Sequence, residues 1–249
     1  MNNKKLNYFG FQMDNLSMDE TIDLINFSIN NNNNIHHVVL NVAKLVNSRK
    51  NKLLSDSIKS ADLINIDGSG IIYGMKLLGL EPKEKVAGID LMYNLLFEAQ
   101  KNNYSIYFLG ATDRVLKLML FNFNNEFPNL NIVGFNNGYW LPDEEVNIVN
   151  DISSKHPNIL FIGISSPKKE IFIKEHKDNL RANFIMGVGG SFDIYAGKTK
   201  RAPNLMKKYG MEWIYRIYQE PKRMWKRYLV TNTIYILLIV KKYFLGMNE

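Results

Sequence analysis

Leu63-Ile-Asn-Ile66, then Asp67-Gly-Ser-Gly70, then Ile71-Ile-Tyr-Gly-Met-Lys-Leu-Leu-Gly79: a near-continuous apolar run, a small polar break, and a helix-like pattern. A strand with one wet face alternates apolar and polar residues, whereas a continuous run is covered on both faces. Such a strand followed at once by a helix is the first half of a βαβ unit, whose strands run parallel. The unit recurs along the chain. Val38-Val-Leu40 leads through Asn41 into Val42–Lys50, and Ile106-Tyr-Phe-Leu109 through Gly110-Ala-Thr112 into Asp113–Phe123. Ile159-Leu-Phe-Ile162 leads through Gly163-Ile-Ser-Ser-Pro167 into Lys168–His176, and Phe184-Ile-Met186 into Gly187-Val-Gly-Gly-Ser-Phe-Asp193. The pattern predicts an α/β fold, a Rossmann-like parallel sheet with helices on both faces.

Outside these units, Ser17-Met-Asp-Glu20 is a capping box opening a helix over about 18–29, which the run Asn30–Asn34 ends. Asn136-Asn-Gly-Tyr139 reads as a hairpin turn between Val133 and Tyr139-Trp140. Asp143-Glu-Glu145 after Pro142 reads as the acidic first turn of a helix. With no repeat or linker visible, residues 1–197 are expected to form one compact α/β core, and 198–249 a basic, aromatic-rich helical tail.

The chain has 249 residues, 46% hydrophobic and 22% charged, with a formal charge of +7. That composition excludes wholesale disorder. The absence of cysteine excludes a disulfide framework, a thiolate nucleophile and a Cys-ligated zinc site. No apolar run near the start resembles a signal peptide, so a cytoplasmic location is expected. Residues 198–249 hold 12 basic and 3 acidic side chains, net +9, while residues 1–197 hold 19 and 21, net −2. The whole excess therefore lies in the tail, which suits an anionic partner. The apolar block Tyr228–Val240 is thirteen residues long, short of the roughly 20 that span a bilayer. Trp213, Ile214, Ile217, Tyr218, Met224 and Trp225 alternate with Arg216, Lys222, Arg223, Lys226 and Arg227, as in an amphipathic segment lying on a membrane surface. Pro221 should break that helix. Aromatics beside cations suit a headgroup boundary better than a nucleic-acid groove, so a membrane surface is the expected partner and nucleic acid is not.

In an open parallel sheet, ligands bind beyond the carboxyl ends of the strands. Glycine loops entering helices there present free N–H groups to phosphate. Gly187, Gly189 and Gly190 form the best such cradle, although neither GxGxxG nor GxxxxGK[ST] is present. Asp67 stands directly after a strand, where a carboxylate serves as general base, binds a ribose hydroxyl or caps the next helix. Asp193 has the same alternatives. Asn41 suits a base, a sugar or a helix N-terminus, and Asp90 suits a cap. The histidines, His36, His37, His156 and His176, lack HxxxH spacing and no Asp-x-Asp pair is present, so chemistry without metal or other cofactor is expected. Cations and helix N-termini would then meet the charge of a leaving diphosphate.

Taken together, these loops resemble the WecG/TagA/CpsF family, glycosyltransferase family 26, over about Val38 to Arg227. Ile66-Asp-Gly-Ser-Gly70 followed by Glu84-Lys-Val-Ala-Gly-Ile-Asp90-Leu is similar to the family's Asp-Gly-x-Gly and Arg-x-x-Gly-x-Asp-Leu region. Gly163-Ile-Ser-Ser-Pro-Lys-Lys-Glu170 is similar to its Gly-x-x-x-Pro-x-Gln-Glu loop. Its most specific stretch is matched by Gly187–Asp193, Ala196-Gly-Lys-Thr-Lys-Arg-Ala-Pro203, Glu212-Trp-Ile-Tyr-Arg216 and Glu220-Pro-Lys-Arg223.

The resemblance implies a GT-E variant of the Rossmann-like fold and an inverting, metal-independent transferase, peripherally bound to the inner face of the plasma membrane. It implies an N-acetylmannosamine-type sugar moved from a UDP donor to N-acetylglucosamine on a polyprenyl diphosphate, in teichoic acid or another surface polysaccharide. Asp67 falls at the proposed catalytic base, Asn41 and Asp193 at donor-pocket positions, and Arg216 and Arg223 at arginines that reach the diphosphate. Lys169 stands where the family has glutamine, a point charge in place of an amide. Lys76 and Lys85 stand where it has arginine, and Leu40 precedes Asn41 where a threonine is often seen. A non-catalytic nucleotide-binding module, its basic tail holding membrane or RNA, would show the same sheet, loops and charge. The oligomeric state is left open, a homo-oligomer included, because buried helix faces and subunit contacts look alike in one sequence.

Overall fold

The apolar runs form a six-stranded parallel sheet in the computed structural model, which describes residues 4–245. Chain order is β1 (Lys5–Tyr8), β2 (Phe11–Asp14), α1 (Met18–Asn30), β3 (Ile35–Leu40), α2 (Val42–Ser48), α3 (Lys52–Lys59), β4 (Leu63–Ile66), α4 (Ser69–Leu77), α5 (Gly88–Asn102), β5 (Ser105–Gly110), α6 (Asp113–Glu126), β6 (Asn131–Asn136), a 3₁₀ turn (Pro142–Glu144), α7 (Glu145–Lys155), β7 (Ile159–Gly163), α8 (Lys168–His176), β8 (Phe184–Gly187), α9 (Ser191–Tyr195), α10 (Asn204–Lys208), α11 (Glu212–Gln219) and α12 (Pro221–Leu245). The sheet runs β4-β3-β8-β7-β5-β6, every pair parallel, and β1 and β2 form a separate antiparallel hairpin. The architecture is α/β and Rossmann-like, with a C-terminal helix.

Alternate residues of each strand feed opposite faces. On one face Ile106, Phe108, Phe161 and Phe184 pack with α1, α5, α6 and α9. On the other, Tyr107, Leu109, Leu160 and Ile162 pack with α7 and α8, while Val38, Leu40, Ile64 and Ile66 pack with the hairpin and with α2, α3, α4 and α12. The capping box is formed: Ser17 Oγ accepts from the Glu20 N–H at 3.1 Å, and Glu20 accepts from the Ser17 N–H at 2.8 Å. Asn136–Tyr139, in contrast, closes no hairpin. β6 joins β5 in parallel at the sheet edge, and the Asn-Gly turn leads toward α7 instead.

α11 ends at Gln219 and α12 begins at Pro221, the residue whose missing N–H tolerates only a first-turn position. α12 buries Met224, Thr231, Tyr235 and Ile239, and exposes Trp225, Leu229, Ile236, Leu237, Val240 and Phe244. Tyr235 donates to the Gly70 carbonyl at 2.9 Å and so accepts from the Tyr8 hydroxyl at 2.5 Å. Among the described residues, no helix is long and apolar enough to cross a membrane.

His36 and His37 are consecutive on β3, each 1% exposed. Asn65 donates to Thr21, so its oxygen accepts from His37 Nε2 at 2.9 Å. Burial holds the two imidazoles neutral, with pKa values at about 4 for His36 and about 3 for His37 against an ordinary 6.5. In the unfolded chain both take protons below pH 6.5, and in the folded protein they do not until pH falls to about 4 and about 3. Stability is therefore expected to be complete above pH 6.5 and to decline as pH falls, by up to about 2.7 kcal/mol per unit. Urea titrations between pH 7.5 and 5.5, above the range of ordinary carboxylates, measure this directly. A flat profile would remove the assignment.

Candidate active site

All six strand ends open into one cleft of about 1060 Å³. Asn41 lines it after β3, Asp67 after β4, Thr112 after β5, Gly138–Leu141 after β6, Ser165 and Ser166 after β7, and Gly187–Asp193 after β8. Arg201, Glu212, Arg216 and Arg227 line it from the C-terminal segment. The structure thus brings together Asn41, Asp67, Lys169, Gly187, Gly189, Gly190, Asp193 and Arg216. Arg223 is on α12, and its side chain lies outside the described ones.

Asp67 is not the cap of α4. Gly68 holds that position at φ +90°, a conformation glycine adopts without strain, and no side chain caps the helix. The Asp67 backbone N–H bonds the Leu40 carbonyl at 2.9 Å, extending the pairing of β4 with β3. Asp67 lines the cleft instead. Burial raises its pKa, opposed by the charges of Lys85, Arg216 and Lys44 and by a hydrogen bond from Asn41. Asn41 caps α2, its side-chain oxygen accepting from the Lys44 N–H at 3.0 Å. One asparagine therefore ties a helix start to the candidate base. Lys85 is held by Glu212 at 3.3 Å, so α11 brings both Arg216 and the carboxylate that positions Lys85.

Beside the glycine loop lies a buried cluster. Glu170, 1% exposed, faces Lys44 Nζ at 3.1 Å and Lys169 Nζ at 3.5 Å, and Lys44 also donates to the Val39 carbonyl at 2.9 Å. Burial alone would raise the Glu170 pKa, but the two ammonium groups hold it at about 2. Lys169 is lowered to about 8, by burial first and by Lys44. The sequence conceals this cluster. Lys44 reads as an ordinary first-turn residue, and Glu170 as one letter of a motif.

Asp193 pairs with Lys198 at 2.9 Å at the cleft edge. Asp90 is not a cap, because Ala87 precedes α5. Instead its two oxygens take Arg201 in a fork, each at 2.6 Å. The signal for that pair was charge complementarity between two motif segments. Glu145, Glu175 and His176 place three ligand atoms within 4.8 Å of one another, outside the cleft lining. Glu145 there already bonds Trp140 and His176, each at 3.0 Å.

A carboxylate at the floor of a cleft ringed by cations suits transfer of a group from a phosphate ester, and comparison with known proteins fixes the group: the chain is a glycosyltransferase. The model of the glycosyl transferase WecG/TagA/CpsF family matches residues 6–248, and the chain belongs to that family. It is 33% identical over 172 residues to the N-acetylglucosaminyldiphosphoundecaprenol N-acetyl-beta-D-mannosaminyltransferase of Bacillus spizizenii, covering 69% of this chain and 66% of that one. It is 30% identical over 225 residues to the protein of the same name from Staphylococcus aureus strain MW2, covering 90% and 88%.

Proposed function

We propose that this chain moves an N-acetylmannosamine-type sugar from a UDP donor to N-acetylglucosamine on a polyprenyl diphosphate, inverting the anomeric carbon, without metal. The observation that carries the reading is Asp67, released from capping and set among Lys85, Arg216 and Lys44 at the ends of adjacent strands. The names of the relatives support the sugar and the lipid-linked acceptor. A β-linked product from an α-linked nucleotide sugar requires a single displacement, hence one base and no covalent intermediate. Asp67 takes the proton of the acceptor hydroxyl as that oxygen bonds C1. The C1–phosphate bond breaks and UDP leaves with the electron pair. Arg216, Arg227 and the Gly187–Gly190 loop meet the charge on the diphosphate. A leaving group stabilised by fixed cations does not need a divalent ion for that purpose.

The exposed apolar face of α12, with Lys222, Lys226 and Lys241 beside it, supports contact with the membrane surface that holds the lipid acceptor. In this reading residues 198–249 finish the site and dock it in one step.

Synthetic lipid-diphosphate N-acetylglucosamine, offered with UDP-N-acetylmannosamine, its uronate, UDP-N-acetylglucosamine and UDP-glucose in the presence of a chelator, tests this by mass spectrometry. One added residue from a single donor is expected. No product from any donor, with UDP still bound, would overturn the assignment of donor or acceptor.

A further inference from the structure

We propose that Lys169 is an anion-binding and specificity-determining residue of the cleft, gripping a negatively charged oxygen group of the donor: a diphosphate oxygen or a carboxylate on the transferred sugar. The proposal rests on the reading of the cleft as a nucleotide-sugar site.

Three observations carry it. The first is position. A Cβ at Gly187 would lie 2.8 Å from both Cδ and Cε of Lys169, and one at Gly189 would lie 3.6 Å from Nζ. The lysine stem thus crosses one glycine of the cradle and ends beside the next, a path open only because residue 187 has no side chain. The second is enclosure. Lys169 is 6% exposed yet lines the cleft, and Glu170 is the carboxylate that its ammonium meets among the described residues. The third is charge. Lys44 and Lys169 share one carboxylate, and Lys44 holds it more closely, at 3.1 Å against 3.5 Å. One positive charge is left over inside the walls. Such a charge is costly until an anion arrives.

The charged groups facing Lys169 are Glu170 beside it on α8, Lys44 from α2 and Arg227 from α12. Burial and the two cations outweigh Glu170 and bring the amine to about 8, where it is half protonated at that pH. An anion within hydrogen-bond reach favours the protonated form. Donor binding at pH 8 should therefore draw about half a proton from solution.

Calorimetry at pH 8 in two buffers of different ionisation enthalpy reads that uptake directly. The probes are UDP, UDP-N-acetylhexosamine and the corresponding uronate, with wild type, K169M and K169Q. K169M leaves the Lys44–Glu170 pair neutral and is expected to fold, as its melting curve will show. Wild type is expected to take up about half a proton, and both variants none, with affinity reduced about 10–100-fold. A loss on UDP itself assigns the grip to the diphosphate, and a loss confined to the uronate assigns it to the sugar carboxylate. Variants that bind all three probes as wild type does, with the same proton uptake, would overturn the proposal. Wild type that binds no uridine nucleotide would overturn the donor-site reading, and the proposal with it. Gly187→Ala is a second route: its methyl pushes the stem aside without changing charge, and should reproduce the loss of uptake.

Discussion

Asp67→Asn is expected to lower kcat by about 10²–10⁴ at saturating donor and acceptor, the range lost with a general base. The substitution preserves shape, and the new amide oxygen can still accept from Asn41. What it removes is a proton acceptor and a negative charge. With the carboxylate gone, Lys85, Arg216 and Lys44 face the cleft less opposed, so an anionic donor should bind no worse than before. A fall in kcat with no rise in donor KM therefore marks a base, whereas a positioning role would move both. Burial raises the Asp67 pKa, so in the wild type the acid limb of the rate profile should lie above the usual 3.8, and it should vanish in Asp67→Asn. Near-wild-type turnover by this variant would end the assignment.

Glu170→Gln is expected to cost the fold heavily although it changes neither the size nor the shape of the side chain. The amide cannot neutralise two ammonium groups, and Lys44 and Lys169 would face each other without the carboxylate that now lies between them. Removing one member of a buried ion cluster costs about 3–5 kcal/mol. In a chain of this length that lowers the melting temperature by roughly 6–20 °C. The contrast with K169M makes the test specific, because that variant leaves one cation on one anion and should lose much less. The depressed pKa gives an independent readout. The part of stability owed to Glu170 is fully present above the ordinary 4.5 and is lost as pH falls toward about 2, so Glu170→Gln should be less sensitive to acid in that window. A melting temperature within a few degrees of wild type would show that the cluster is not held as described.

The sheet was legible because strands covered on both faces leave continuous apolar runs, and five of its six strands announce themselves in this way. β6 did not, since it is an edge strand with only partly buried side chains, and its Asn-Gly turn signals a reversal without saying what pairs. The β1–β2 hairpin also escaped. Its strands are four residues each, and its turn sets Phe9 at φ +49°, where glycine or asparagine would have been the visible cue. At the site, loop residues after strands were readable because the fold rule places them together. Whether Asp67 caps or faces the cleft was not readable, because the answer depends on Gly68 taking the cap. The Lys44–Glu170–Lys169 cluster was beyond local reading. It exists only because α2 and α8 pack against the same face of the sheet.

The buried hydroxyl pair of Tyr8 and Tyr235 joins residues 227 positions apart, a stretch that takes roughly 10–45 s to synthesise. Through that interval the hairpin waits for a helix the ribosome has not yet made. The same bond reaches Gly70, on the first turn of the helix that follows Asp67. Newly made chain therefore carries Asp67 before it carries Arg216, Arg227 and α12, which reach the same cleft or the hairpin beside it. The core that joins the hairpin to α4 is closed only by one of the last segments to be made.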